Sequence, residues 1–570
     1  MKKTNLVKRT IALAAAVAMA VSMAACGEAS SSSAVSSGSK TASASTATSA
    51  KSTSTAASTS TAASSATPAP TAPVDDTEPV YGGTLKLGMI NTIANPGDTA
   101  ISSANGAMTY LNCAYEPLLT YNADGTLKPV LAESWETDPE NLTLTWKLRQ
   151  GVTFSDGEPF NADAVIKNVE YYKTNNRSEV AFVDTMEAPD DYTVIMHLSY
   201  WNSSAVESVG FYLQCMSPKA LEDPESLTEK TAGTGPFVLD DFNPNVSAHY
   251  VKNENYWQEG KPYLDAVDIK VITESTTLKS AFLADEYDVI LCMDMEMINE
   301  LKTLNADKFD SGEFVLAQNT TGLGVVSTGL IPYSADPTSP WANPKVRLAA
   351  AYAIDRDGLN EAFNHGLATV TNQWAVPGSV TYNTDMVGTT YDPAKAMELL
   401  KEAGYENGFD TIITSSGSNS DYYTTVCEML NAVGIRATYE KVDVSTWYSY
   451  MGGTWEGMTI HAASVAPDLG MYMSRHLGEN AAFYGKGIND SQAILDKMTE
   501  IQTAPTPEEK HKLEWEMQDM IYNGEDGEMI FGVVLYTTPT FVVKHNWLHN
   551  DNTGVIHCNQ WTVADAFLTK

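Results

Sequence analysis

Leu85, Leu87 and Met89 alternate with polar or small residues after Gly82-Gly83. A period of two bounded by a glycine turn predicts a strand over Tyr81–Ile90. Leu142–Leu148 (LTLTWKL) alternates in the same way and predicts a second strand, followed by a turn at Ser155-Asp156-Gly157. The rhythm then lengthens to that of helices. Asn161 is placed to cap a helix that runs through Tyr172. Asn343-Pro344 opens a helix through Ala353, and Asp355 caps the next. Asp392-Pro393 opens another that stops at Gly404, with Ala396, Leu399 and Leu400 on one face. Thr506-Pro507-Glu508-Glu509 is a capping box with proline in the first turn. The helix it begins carries Leu513, Met517 and Ile521 at i, i+4 and i+8. Strands and helices are intermixed, so the fold class is α/β in the broad sense, a mixed α+β architecture.

Upstream of Tyr81 neither period is present. Trp, Tyr and Phe number 11, 27 and 15, and none precedes Tyr81. The first nine residues hold Lys2, Lys3, Lys8 and Arg9 and no acid, and Ile11–Ala25 is apolar or small. Residues 1–25 therefore read as a secretory signal peptide. It ends in Met23-Ala24-Ala25-Cys26-Gly27, which resembles a bacterial lipobox and makes Cys26 the expected lipidation site. Two acyl chains would anchor the protein durably. Cleavage at Ala25 without lipid, or an uncleaved anchor helix, are the alternatives. From Ala29 to Ala72, 38 of 44 residues are Ser, Thr or Ala. Residues 26–80 are accordingly expected to be a lipidated cysteine and a disordered tether, whose Ser/Thr/Ala run would span about 35–40 Å as a flexible chain.

The remaining length suffices for about three domains at roughly 150 residues each. Its charge narrows the partners. Lys plus Arg number 35 against 71 Asp plus Glu, a formal net charge of −36, which repels nucleic acid. No apolar run past the N-terminus is long enough for a multi-span membrane protein. Cys113, Cys215, Cys292, Cys427 and Cys558 are widely spaced and form no CxxC, so buried free thiols are expected, with one long-range disulfide as the alternative.

Motifs of catalytic constellations are scarce. GxSxG and HExxH are missing, and SxxK occurs only as Ser37–Lys40 within the tether. His545 and His549 are four apart but follow a strand-like run, which does not align them for a metal. Met293–Met297 (MDMEM) reads as a buried strand-to-helix methionine cluster rather than a copper site. Gly233-Thr234-Gly235 reads as a strand-entry turn rather than a phosphate loop. No enzyme activity, cofactor or metal is implied. A secreted cell-surface hydrolase remains as the rival of another class, opposed by the missing nucleophile constellation.

Three runs in order carry a resemblance: Pro129–Trp135 (PVLAESW), Leu148–Pro159 (LRQGVTFSDGEP) and Ala162–Val165 (ADAV). Gly233–Phe237, Asn253–Pro262, Asn343–Arg356, Tyr391–Phe409 and Gly434-Ile435 continue it downstream. The chain resembles the extracellular solute-binding proteins of family 5, the peptide-, nickel- and oligosaccharide-binding components of ABC importers, over roughly residues 81–570. The resemblance implies a bilobal fold like the type II periplasmic binding proteins, with an extra inserted domain, closing on ligand like a hinged clamp. Domain I would comprise 81–112, 226–317 and 536–570, domain II 113–225 and domain III 318–535. The motif residues themselves look structural. Trp135 and Trp146 would be strand residues, and Arg149 is expected to pair with a local carboxylate.

The implied function is extracellular capture of an oligopeptide for membrane permease subunits, by a lipid-anchored monomer. Family members fix the peptide amino terminus with a carboxylate, in a stretch that corresponds here to Ala462–Tyr472 (AASVAPDLGMY). The usual position holds Ala466, Asp468 is the candidate substitute, and Ser464 lies in the same stretch. This departure brings in an oligosaccharide or a metal chelate as rival ligands. Further ligand-binding candidates by family position are Ser102, Ser103 and Asn105 after the first strand, Thr320 and Thr321 at the opening of the second lobe, and Asn372, Gln373 and Trp374. An indole there could stack on a sugar or cover a peptide side chain. For the anchor, Cys26→Ala is expected to release the protein into the medium. Fractionation that finds the variant still on the membrane would refute lipidation.

Overall fold

The computed structural model describes residues 77–570, apart from 103–106, 123–125, 293, 319–324, 418, 465–467, 479–480, 482, 524–526 and 552–560. Two mixed sheets organise it. The seven-stranded sheet is built on Thr84–Met89, which pairs in parallel with Ala266–Val271 on one side and Val289–Cys292 on the other. The alternation read from sequence decides its facing: Leu85, Leu87 and Met89 are all buried. The six-stranded sheet is built on Val326–Pro332, flanked by Met458–Ser464 and Val533–Thr538, both antiparallel to it. Each sheet has its own apolar core, which is why the molecule forms two lobes.

The chain passes between the sheets twice. Phe314–Gln318 lies in the first sheet and Val326–Pro332 in the second. Val533–Thr538 lies in the second and Phe541–His545 in the first. The return crossing therefore follows Thr538, a few residues beyond the boundary expected at 535. On both sides the crossing strands are paired with each other.

The inserted part of the first lobe is a four-stranded antiparallel sheet covered by helices. Trp135 faces Trp146 across it, with ring centroids 6.0 Å apart. The helix Ala162–Thr174 is capped by Asn161, whose side chain accepts from the Ala164 N–H. In the second lobe, Asn343, Asp355, Asp392 and Thr506 all cap the helices expected of them. Gly404 turns the chain at φ +83°, a left-handed conformation that suits glycine.

Several motif residues prove to be fasteners. Glu116 is buried and accepts from Tyr256 Oη (2.7 Å), Trp257 Nε1 (2.8 Å) and Thr234 Oγ1 (2.9 Å). Burial pushes its carboxyl up to about 7, while the three donors pull it back. Among the described residues Arg149 forms no ion pair, where one with a local carboxylate was expected. Its Nε donates to the Val130 carbonyl and its guanidinium lies 4.6 Å over Trp257, so its charge reaches Glu116 through space. Arg347 donates to the carbonyls of Met529, Trp341, Ala342 and Glu528, and Arg356 to that of Val534. Burial lowers both guanidinium groups to about 10.

Three further sequence readings have structural outcomes. Cys113, Cys215 and Cys427 are free and buried, while Cys558 lies outside the described residues. His545 stacks on Trp547 at 3.8 Å and His549 on Phe567, so the two rings serve different neighbours. Asp294 caps the helix Met295–Leu304 and Met297 is buried beneath it. No helix among the described residues is long and apolar enough to cross a membrane.

Gly233 tests the strand-entry reading. A Cβ there would overlap the Ala114 carbonyl and the Tyr115 ring. Gly233→Ala is expected to destabilise the first lobe by about 1–3 kcal/mol, the usual scale for forced overpacking, measurable as a lower Tm. An unchanged Tm would show that the close approach is not needed.

Candidate functional site

Topology locates the cleft. The C-terminal ends of Thr84–Met89, Val289–Cys292 and Phe314–Gln318 gather at one end of the first sheet, next to the start of Phe541–His545. In the second sheet, Val326 lies between Ser464 and Thr538. The strand ends that feed both crossings thus lie where the chain passes from one sheet to the other. Ligands of open α/β sheets favour such strand ends.

Several expected site residues belong to this region. Ser102 is buried and donates from Oγ to the Asn95 carbonyl at 3.0 Å. Ser464 ends its strand opposite Val326. Ser103, Asn105, Thr320, Thr321 and Cys26 lie outside the described residues.

The Asn372–Trp374 trio is engaged with the second lobe itself. Asn372 Oδ1 accepts from both the N–H and the Oγ1 of Thr389. Gln373 is buried and exchanges two hydrogen bonds with the backbone of Asn383. Trp374 is fully buried and donates from Nε1 to the Phe531 carbonyl at 3.2 Å. Its ring sits among His461, Tyr472 and Phe531, and a Cβ on Gly329 would come within 2.9 Å of it. These contacts brace one loop against the core.

Asp468 begins the short helix Leu469–Ser474, which carries Tyr472 onto Trp374. Its Oδ1 accepts from the Met471 N–H at 2.8 Å, and its Oδ2 accepts from Lys510 Nζ at 2.8 Å. Both partners of the ion pair are almost fully buried. Lys510 also donates to Ser204 Oγ at 3.0 Å and lies 3.9 Å from Glu207 Oε1, both residues of the first lobe. Burial alone would raise Asp468, but the Lys510 ammonium holds it below the usual carboxylate range. Burial alone would lower Lys510, but Asp468, Glu207 and Glu514 hold it above its ordinary value. Glu207 lacks so close a cation and burial raises it.

Lys510 was missed by sequence reasoning, yet the helix carries a signal. The buried line of Pro507–Tyr522 runs through Lys510, Glu514, Met517 and Ile521, and Leu513 is only half-buried. Lys and Glu four apart on an otherwise apolar stripe mark a buried charge cluster. Glu514 completes it, accepting from the Gly470 N–H at 2.8 Å and pairing with His511 Nδ1 at 3.0 Å.

A second buried group lies beside Trp374. His461 and His476 have ring centroids 5.1 Å apart, and both contact Tyr472, Tyr484 and Phe531. His476 Nδ1 donates to the Tyr472 carbonyl at 2.7 Å, which sets its tautomer. Burial lowers His476 to about 4 and His461 well below its ordinary value. Among the described residues no group of three or more His, Cys, Asp or Glu side chains could hold a metal ion.

Residues 126–483 match the family model for bacterial extracellular solute-binding proteins, family 5 middle. A heme-binding protein A of Haemophilus influenzae is 30% identical over 329 residues, 52% of this chain and 57% of that protein. A glutathione-binding protein GsiB of Salmonella typhi is 29% identical over 433 residues, 72% of this chain and 81% of that protein. The solved structure of the periplasmic binding protein DppA of Helicobacter pylori, in complex with peptide STSA, superposes with TM-score 0.69 at 22% identity, covering 86% of this chain and 99% of that one. That likeness is one of fold.

Two outcomes are expected from these contacts. Trp374→Ala should cost about 3–5 kcal/mol in the second lobe, because it empties a packed aromatic site. Urea unfolding checks this, and a loss under 1 kcal/mol would contradict the packing. The histidine pair should make that lobe acid-labile. Its pKa values are depressed on folding, so above about pH 6.5 neither state is protonated and nothing is lost. Below it the unfolded chain takes protons that the fold refuses, and His476 alone removes roughly 3 kcal/mol by pH 4. Melting curves from pH 8 to 4 should flatten in His476→Gln. An unchanged slope would show that His476 is not the group responsible.

Proposed function

This chain belongs to the bacterial extracellular solute-binding proteins of family 5, and we propose that it captures an oligopeptide between its lobes and delivers it to the permease subunits of an ABC importer. In this reading it works as a monomer held at the outer face of the cytoplasmic membrane by lipid on Cys26. The observation that carries it is the paired double crossing between two separately cored lobes. Such a connection lets two bodies close on a ligand while each keeps its fold. The strand ends at the junction offer main-chain donors and acceptors to an extended peptide, the recognition mode with the least side-chain selection. A peptide-bound protein of the same fold and a glutathione-binding relative support this class, glutathione being itself a tripeptide.

One observation favours a second reading, an oligosaccharide or a metal chelate. Both oxygens of Asp468 are already engaged by Met471 and Lys510, so this carboxylate holds an internal ammonium in place of a ligand's. Capture without hydrolysis is the expectation in either case. Native mass spectrometry of the protein lacking residues 1–26, mixed with a pool of short peptides, should show intact one-to-one adducts. No adducts would move the ligand to the sugar or chelate class. Shortened peptides in the pool would make the protein a hydrolase.

A further inference from the structure

The last carbonyls of helix Gln492–Thr503 of the second lobe have few partners within the helix, where the Ala504 N–H reaches that of Ile501 at 3.3 Å. A loop of the first lobe supplies donors to this end. Ser203 Oγ donates to the Ile501 carbonyl at 2.7 Å, and the Ser203 N–H to that of Gln502 at 2.8 Å. Trp201 Nε1 donates to the Ala504 carbonyl at 3.1 Å. The contact continues along the same segment. Ser204 Oγ accepts from Lys510 Nζ at 3.0 Å, and Ser208 Oγ lies 3.3 Å from Met471 Sδ. On the first-lobe side the loop is fixed by its own core, where Ala205, Val209 and Phe211 are buried.

We propose that Trp201–Ser208 and Lys510 form a clasp that closes the two lobes before any ligand arrives, and that Trp201, Ser203 and Lys510 act as positioning residues for capture. Three features support a clasp over an incidental contact. The donors complete a helix terminus that would otherwise face solvent across a gap. The Lys510 ammonium is shared between Asp468 of its own lobe and Ser204 of the other, so separating the lobes removes one of its hydrogen-bond acceptors. Neither set involves the crossing segments, so the clasp adds a constraint that the hinge does not supply. A ligand held from both sides requires the closed form, and its apparent affinity scales with the fraction already closed. The clasp thus raises affinity without touching ligand.

The inference rests on the two lobes acting as a clamp and not on what the clamp holds, so it is tested without ligand. Hydrogen–deuterium exchange on the ligand-free full chain reads it directly. The Ser203 amide should be protected in the wild type. In the Trp201→Phe, Ser203→Ala double variant, exchange in residues 199–206 should speed by roughly tenfold, the scale of losing two ordinary hydrogen bonds. Strands Thr84–Met89 and Met458–Ser464 should keep their protection in that variant. Lys510→Gln should act in the same direction. Should it unfold the second lobe, strand Met458–Ser464 would report that by losing protection, and the double variant then decides. A Ser203 amide that exchanges at the rate of a free loop in the wild type would overturn the proposal. So would a double variant whose exchange matches the wild type. Either result leaves ligand capture untouched, and missing peptide adducts would leave the Ser203 protection in place.

Discussion

The two crossings between the sheets are not independent linkers. Phe314–Gln318 and Phe541–His545 are neighbours in the first sheet, and the same two chain paths, as Val326–Pro332 and Val533–Thr538, are neighbours in the second. Backbone hydrogen bonds therefore lock the connection at both ends. A paired connection of this kind restricts the lobes to a hinge-like motion rather than free rotation. The placement of the cleft follows, because the strand ends that feed the crossings are the ones that face each other.

Rigid lobes are what make a hinge useful, and the second lobe obtains its rigidity from buried polar groups as well as apolar ones. Arg347 binds the carbonyls of Glu528 and Met529, which lead into the last strand of that lobe, and Arg356 that of Val534 within it. A guanidinium can satisfy several carbonyls in one plane, which a lysine cannot. Glu116 does the equivalent work in the first lobe by gathering donors from Thr234, Tyr256 and Trp257. Each such group is costly to bury and cheap only when every partner is present. They therefore fix how distant segments meet, and the motifs that contain them mark the fold more directly than the ligand.

The Lys510–Asp468 pair differs from these in lying at the boundary of the lobes. A buried ion pair is a weak source of stability, since desolvation offsets attraction, but losing one partner is expensive. With Glu207 and Ser204 contributed by the first lobe, the lysine senses whether that lobe is in place. Trp374 and the two histidines stand behind it and hold Tyr472, and with it the helix that Asp468 caps.

The sequence by itself determined the local elements and the family. Caps at Asn161, Asn343, Asp355, Asp392 and Thr506 were legible because a cap depends on residues within one turn of itself. The alternation of Leu85, Leu87 and Met89 was legible for the same reason. Tertiary structure alone decided the partners of charged side chains. Arg149 went to an aromatic face and a carbonyl, where a carboxylate was expected. Asp468 went to a lysine 42 residues away, and that lysine to a serine 306 residues away. The first two contacts exist only once a lobe has folded and the last only once both lobes have met, and no pattern within a single turn or strand encodes them.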